Sequence, residues 1–574
     1  MTQTVKKLTI IFVLSSGYSS AADSIWSKDV SLPGNKKCGS ILEREYCFSD
    51  GNRQNIYQFT PETLNVAIEK GAEHVLDYPI ELTQMQLPKA AMDKFFESDS
   101  RSALRRFIFS IAKGLSNFKS FRDVFVWLGL HDYPTNQTEV GPNFIPHLPH
   151  LAEYPMGVSK ISSGGHTGLT FSCAACHSAN LVGTKVIGMT NRFSRANEVF
   201  IKGQDILSKT PSFLFNILVG PTTQDLKTFE RSKEAMNYVG LKQPLALGLD
   251  TSLAQVGLSL AKRGLDPYAL KIKNLKPREN VLNIDPADSK PAVWWNLKYK
   301  TKWLSDGSII SGNPIYTNFL WNEIGRGIDL VELEAWLQNN NPVIKDLTAY
   351  VFANQAPKYN DFFPNNIDIE KAKMGQKLYN KNCIACHGEY TKAWQSEDAH
   401  LLSYAEKLET TKVWYHTKTQ VKNVNTDAYR RKGMRYFYKD LNRLKISKTI
   451  GAVVKPQRGY VPPPLVGIWA RWPYFHNNSV PTLYDVISQE NQRPKKYISV
   501  PAHNKKTDYD NLKLAYPAIA KIRKPFRDNK DHMFDTSIPG LSNKGHNEVL
   551  LDPQGKPLYD ENEKYQLLEY LKTL

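Results

Sequence analysis

The sequence predicts a mainly α fold built as two related modules. Three observations predict it. The triplet C-x-x-C-H occurs at Cys173, Cys176 and His177, and again at Cys383, Cys386 and His387, about two hundred residues on. In DIEKAKMGQKLYNKNC, Ala372, Gly375, Tyr379 and Cys383 recur at helical spacing directly before the second triplet. Alternating apolar and polar runs of the kind that mark strands are scarce.

The triplets come first because they carry chemistry. Two thiols two residues apart can add across the vinyl groups of a porphyrin, and the next residue then offers its imidazole to the iron. With 6 Cys and 13 His in 574 residues, a shuffled chain holds roughly 0.001 copies of the pattern. A zinc ribbon sets its two C-x-x-C pairs about 15–20 residues apart, and a thioredoxin-like dithiol needs neither the second pair nor the histidine. The reading is two covalently bound haem c groups, with His177 and His387 as iron ligands.

The start of the chain has Lys6 and Lys7, an apolar run Leu8 to Leu14, and small residues near Ala22. That is the pattern of a signal peptide over residues 1–22, too short to span a bilayer. A periplasmic or secreted protein with no membrane span is expected. Cys38 and Cys47 remain after haem attachment, and in an oxidising compartment they are expected to pair; the alternative is two buried thiols. An N-terminal extension follows over 23–150, then a first haem domain over 151–345 and a second over 346–574. Asn and Pro in QNNNP (338–342) and FFPNN (362–366) mark the softest part of that boundary. Small Gly375 would let another helix approach closely, and Leu567, Leu568 and Leu571 give the closing helix its apolar stripe. An insertion over about 390–455 exceeds what a minimal cytochrome needs.

Net charge is +18. Basic clusters at 430–443 and 521–530 could steer an acidic redox partner, although solvated faces of insertions are the simpler reading. No nucleic-acid-binding module accompanies them.

Each iron needs a second axial ligand or an open face. His476 in WARWPYFHNNSVPTLYDVI and His546 in PGLSNKGH are the candidates in the second module. The segment GYVPPPLVGIWARWPYFHNNSVPTLYDVI resembles the signature of the di-haem cytochrome c peroxidase superfamily, which includes MauG-type enzymes. Its combination with GLTFSCAACH, PAVWWNLKYKTKW and PGLSNKGH resembles the rubber oxygenases, di-haem dioxygenases that cleave polyisoprene. The resemblance covers about residues 150–574. It implies that His177 is the proximal ligand of an open, O₂-activating haem. It implies that His387 and His546 close the second iron, with His476 a turn residue and rival ligand. It also implies that Trp295 lies beside the active haem and serves communication between the irons. The LFWDGRA-like motif and peroxide-splitting glutamate usual in bacterial di-haem peroxidases are not found around the first triplet. The expected activity is therefore haem-dependent oxidation with O₂, on a hydrophobic unsaturated substrate by analogy. A peroxidase or MauG-like enzyme using H₂O₂ is the alternative, and a closed di-haem electron carrier the third reading.

Overall fold

A computed structural model describes residues 24–41, 43–96, 118–135, 143–163, 166–264 and 277–574. The expected signal over 1–22 lies outside the described residues. The helices that organise the fold are α1 (Pro61–Leu76), α2 (Ser252–Lys262), α3 (Pro314–Gly325), α4 (Leu330–Asn339), α5 (Asn341–Ala353), α6 (Ile369–Asn382) and α7 (Glu561–Lys572).

Most begin where the sequence supplies a start signal. Thr60 caps α1 by accepting from Thr63 N, with Pro61 in the first turn. Asp368 caps α6 through Lys371 N, and Asp560 with Glu563 forms a reciprocal capping box on α7. Two glycines then set the tightest helix pairs. A Cβ on Gly71 of α1 would lie 2.2 Å from Asp346 O of α5. One on Gly375 of α6 would lie 2.0 Å from Gln566 O of α7. The close approach expected at Gly375 is thus made by the closing helix, whose Leu567, Leu568 and Leu571 are buried.

Helix makes up 43% of the chain and strand 14%, in several small sheets, so "mainly α" describes the molecule only loosely. Strand Arg44–Ser49 lies between Lys36–Ile41 and Thr410–His416, and Thr410–His416 also pairs with Glu389–Lys392. Strand His166–Phe171, which leads into the first triplet, lies between Leu87–Pro88 and Val158–Ser163. These pairings join segments far apart in sequence, which local periodicity does not reveal. Cys38 and Cys47 oppose each other in the first hairpin, with Cα atoms 4.1 Å apart, and their sulfurs are bonded.

Two hydrophobic cores result. The first gathers α1, α2, α3, α4 and α5 with Trp294 and Trp303. The second gathers α6 and α7 with Trp469, Trp472 and Tyr497. Neither keeps to a contiguous stretch of chain. Met434, Phe437, Leu441 and Leu444 of the insertion are buried in the first core, whereas Ala179, Leu181 and Met189, just past the first triplet, belong to the second. The basic cluster at 430–443 is accordingly not all solvated: Arg430 is buried 3.5 Å from Asp306. The cluster at 521–530 is mostly exposed.

Candidate functional site

Both triplets open on one cavity of about 590 Å³, well within the range of ligand sites. Cys173, Cys176, His177, Cys383, Cys386, His387, His476 and His546 all line it. The four cysteines are unbonded. Among the described residues no methionine lines the cavity, which limits the soft axial ligands available there.

In the first triplet, strand His166–Phe171 ends and the chain turns through a single helical turn, Ala174–His177. His177 Nδ1 is 2.9 Å from Ala292 O, and its ring centre is 5.1 Å from that of Trp294. A carbonyl only accepts, so Nδ1 carries the proton and Nε2 keeps its lone pair for a metal. This is the usual second contact of a ligating histidine. Burial pushes the imidazole down to about 4, keeping it neutral at ordinary pH.

In the second triplet, α6 runs into the turn Ile384–His387. His387 Nδ1 is 2.9 Å from Pro463 O, repeating the arrangement of the first site. Around it, Tyr390 Oη donates to His387 O at 2.9 Å and Tyr379 Oη to Gly388 O at 2.8 Å. Burial lowers this imidazole as well, aided by Arg471.

His546 faces His387. Their ring centres are 6.3 Å apart. Two imidazole nitrogens each about 2 Å from one ion, in line, put their ring centres roughly 6 Å apart. This pair therefore has the spacing to hold one iron between them. His546 has φ +62° and follows Gly545 at φ +101°. A left-handed histidine is costly and persists only where its surroundings enforce it, which happens most at functional sites. The enforcement is visible. His546 N donates to Val424 O at 2.7 Å, and Arg493 Nη1 donates to Asn543 O at 2.6 Å and Gly545 O at 2.8 Å. Arg493 Nε in turn donates to Asp485 O at 3.0 Å. Burial, with His387 and Arg493 nearby, pushes His546 down to about 3.

Adjacent residues of the YFHNNS turn point to different places. Phe475 packs 6.4 Å from His546. His476 stacks on Tyr460 with ring centres 4.0 Å apart, its carbonyl accepting from Lys290 N. His476 Nε2 is buried without a hydrogen bond among the described residues, and burial beside Arg430 and Lys290 pushes its imidazole down to about 3. Trp294, not Trp295, lines the cavity. Trp295 is fully buried in the second core and donates from Nε1 to Val466 O at 3.0 Å.

The donor set fits a covalently held porphyrin at each triplet: paired free thiols, an oriented neutral imidazole, and cavity space beside both. Arg493, Lys300 and Arg471 were not picked out by the sequence. Arg493 and Arg471 are held by backbone carbonyls, and no motif of residue types marks such partners. Arg493→Gln should release the turn at Gly545 and His546. The expected result is a mixed high-spin and low-spin population, read by electron paramagnetic resonance, where an iron held by both His387 and His546 in the parent should give one low-spin signal.

Residues 459–498 match the family described as RoxA-like, cytochrome c-like. The matched stretch contains Pro463, Arg471, His476 and Arg493. The chain is similar to the uncharacterized protein y4iM of Sinorhizobium fredii (strain NBRC 101917 / NGR234), 26% identical over 249 residues, 37% of this chain and 50% of that one. It is also similar to the uncharacterized protein y4iJ of the same strain, 38% identical over 115 residues, 19% of this chain and 17% of that one. The chain spans half or less of the length of these curated relatives. The matched stretch marks a cytochrome c-like domain, which relates the chain to c-type cytochromes and implies covalent haem c. Among the described residues no helix is long and apolar enough to cross a membrane.

Proposed function

We propose that this chain is an exported di-haem c-type oxidoreductase in which one iron is open and the other closed. The observation that carries the reading is an asymmetry. His387 has His546 across from it at 6.3 Å, whereas among the described residues His177 has one ring neighbour, Trp294. When bound, c-type haem would supply redox-active iron for chemistry with O₂ or peroxide, or for single-electron transfer.

The protein's own residues divide the work. His177 and His387 are oriented by Ala292 O and Pro463 O, and those two carbonyls belong to segments joined by the Trp295–Val466 hydrogen bond. That join supports a role for Trp295 in coupling the two sites. Leu128, Leu130, Leu253, Val256, Trp294 and Trp321 supply apolar wall, which suits a hydrophobic unsaturated substrate of the rubber-oxygenase kind and excludes water. Similarity to the RoxA-like family supports the same class. The same residues would serve a peroxide-using enzyme of the di-haem cytochrome c peroxidase and MauG superfamily.

Two measurements test this. Thioether bonds survive denaturation, so intact mass should show two haems, and Cys173→Ser with Cys176→Ser should leave one. A parent mass with a single haem would refute the two-site reading. With polyisoprene as substrate, oxygen uptake with formation of carbonyl products is expected, slowed several-fold in Trp295→Phe. Turnover with H₂O₂ and none with O₂ would give the function to the peroxidase class.

A further inference from the structure

Among the described residues five tyrosines line the cavity, and their hydroxyls differ in what they meet. Tyr379, Tyr460 and Tyr474 donate to backbone carbonyls, those of Gly388, Asp427 and Ile468. Tyr559 accepts from Asn382 Nδ2 at 3.0 Å. Of the five, Tyr78 alone donates to a carboxylate, Glu323 Oε1, at 2.7 Å. A backbone carbonyl accepts a hydrogen bond but does not keep the proton at neutral pH, whereas a carboxylate can do both.

That carboxylate is buried and held. Glu323 lies near the end of α3, fully buried behind the cavity wall. Arg326 Nη1 donates to the same Oε1 at 2.9 Å, and its guanidinium carbon lies 4.4 Å from the centre of the Tyr78 ring. The three groups form a closed triad in which the one negative charge is paired. Glu323 Oε2 has no hydrogen bond among the described residues, so the carboxylate has capacity to spare. Burial, with Glu323 beside it, pushes the Tyr78 phenol well above its usual value. The phenol therefore keeps its proton and does not ionise by itself.

The triad is anchored beside the first triplet. Arg326 Nη2 donates to Phe171 O at 2.9 Å, two residues before Cys173. Tyr78, Phe171, Cys173 and Arg326 all line the cavity, and Cys173 packs against the core that contains Tyr78. One guanidinium thus separates the phenol ring from the segment that enters the first triplet. An oxidised phenol is a strong acid, so a buried tyrosine gives up an electron readily only where a base takes the proton at the same moment.

We propose that Tyr78 is a redox-active side chain of the first site, with Glu323 as its proton acceptor and Arg326 holding both in place. The inference rests on the reading of an open iron at His177. The step balances within the triad. Hydrogen peroxide supplies the oxidising power at the first site, and Tyr78 gives that site one electron, reducing it by one equivalent. The Oη–H bond breaks and an O–H bond forms on Glu323 Oε1, leaving a neutral tyrosyl radical and a protonated carboxyl. One electron taken from substrate, with return of the proton from Glu323, restores the phenol. An oxidising equivalent is thereby kept on the cavity wall, apart from the iron.

The test is electron paramagnetic resonance of the haem-loaded protein, freeze-quenched after addition of H₂O₂, with haem content checked by intact mass. A tyrosyl signal is expected, with a splitting that narrows when ring-deuterated tyrosine is incorporated. Tyr78→Phe should abolish it at unchanged haem content and CO stoichiometry. A tyrosyl signal of full size in Tyr78→Phe puts the radical on another ring and overturns the proposal. Glu323→Gln should cut the radical yield several-fold, and a full yield there removes Glu323 as the acceptor and the proposal with it. If Glu323→Gln fails to fold, the parent decides: its radical should couple to one solvent-exchangeable proton, seen by comparing H₂O with D₂O. Absence of that coupling also overturns the proposal. A two-haem parent that binds CO but gives no tyrosyl signal overturns the proposal and leaves the open iron standing, whereas a parent that binds no CO overturns both.

Discussion

His546→Ala is expected to open the iron that the proposed reading closes between His387 and His546. The imidazole opposite His387 sits at the spacing for one shared ion, and a backbone strained at φ +62° holds it there. Alanine leaves no donor, so the low-spin signal of this haem should give way to a high-spin one. The reduced protein should gain a second CO site, and the potential should fall because a strong ligand to the iron is lost. His476→Ala should leave that haem low-spin, since His476 stacks on Tyr460 while Phe475 takes the place beside His546. High-spin signal in His476→Ala together with an unchanged spectrum in His546→Ala would reverse the ligand assignment.

The largest effect on stability is expected at Gly375. A Cβ there would stand 2.0 Å from Gln566 O and 3.0 Å from Leu567 Cα. Both are backbone atoms of α7, so no side chain can move aside to make room. Gly375→Ala must push α6 and α7 apart, and α6 leads straight into Cys383. A loss of about 3 kcal/mol is expected, at the upper end of overpacking costs. Thermal melts followed at the Soret band would show it as a lower midpoint. The better intrinsic helix propensity of alanine recovers only about 1 kcal/mol. An unchanged or raised melting point would mean that the two helices do not pack here as described.

What the sequence disclosed follows from the range of each interaction. The triplets, α6 and α7 were legible because attachment chemistry and helix periodicity are written within a few residues. Gly375 was legible as a close approach for the same reason. The sheets were not, because Arg44–Ser49 pairs with Thr410–His416 across most of the chain. The packing of Met434 and Leu441 into the first core is equally non-local. His546 could be singled out only through resemblance, and its partner Arg493 had no signal, since it grips backbone carbonyls. The two tryptophans of PAVWWNLKYK differ by one position, and which of them meets the cavity depends on a short 3₁₀ turn, Trp294–Tyr299. Residue type alone does not set that orientation.

One open and one closed iron are told apart by titrating the dithionite-reduced protein with CO and following the Soret band. CO enters a vacant axial position readily, whereas at a site held by two imidazoles the protein ligand must leave first. One CO per two haems is the expected stoichiometry, with binding abolished in His177→Ala and the low-spin spectrum of the other haem undisturbed. No CO bound would mean that both irons are closed and the protein is a carrier; two CO bound to the parent protein would mean that His546 does not ligate.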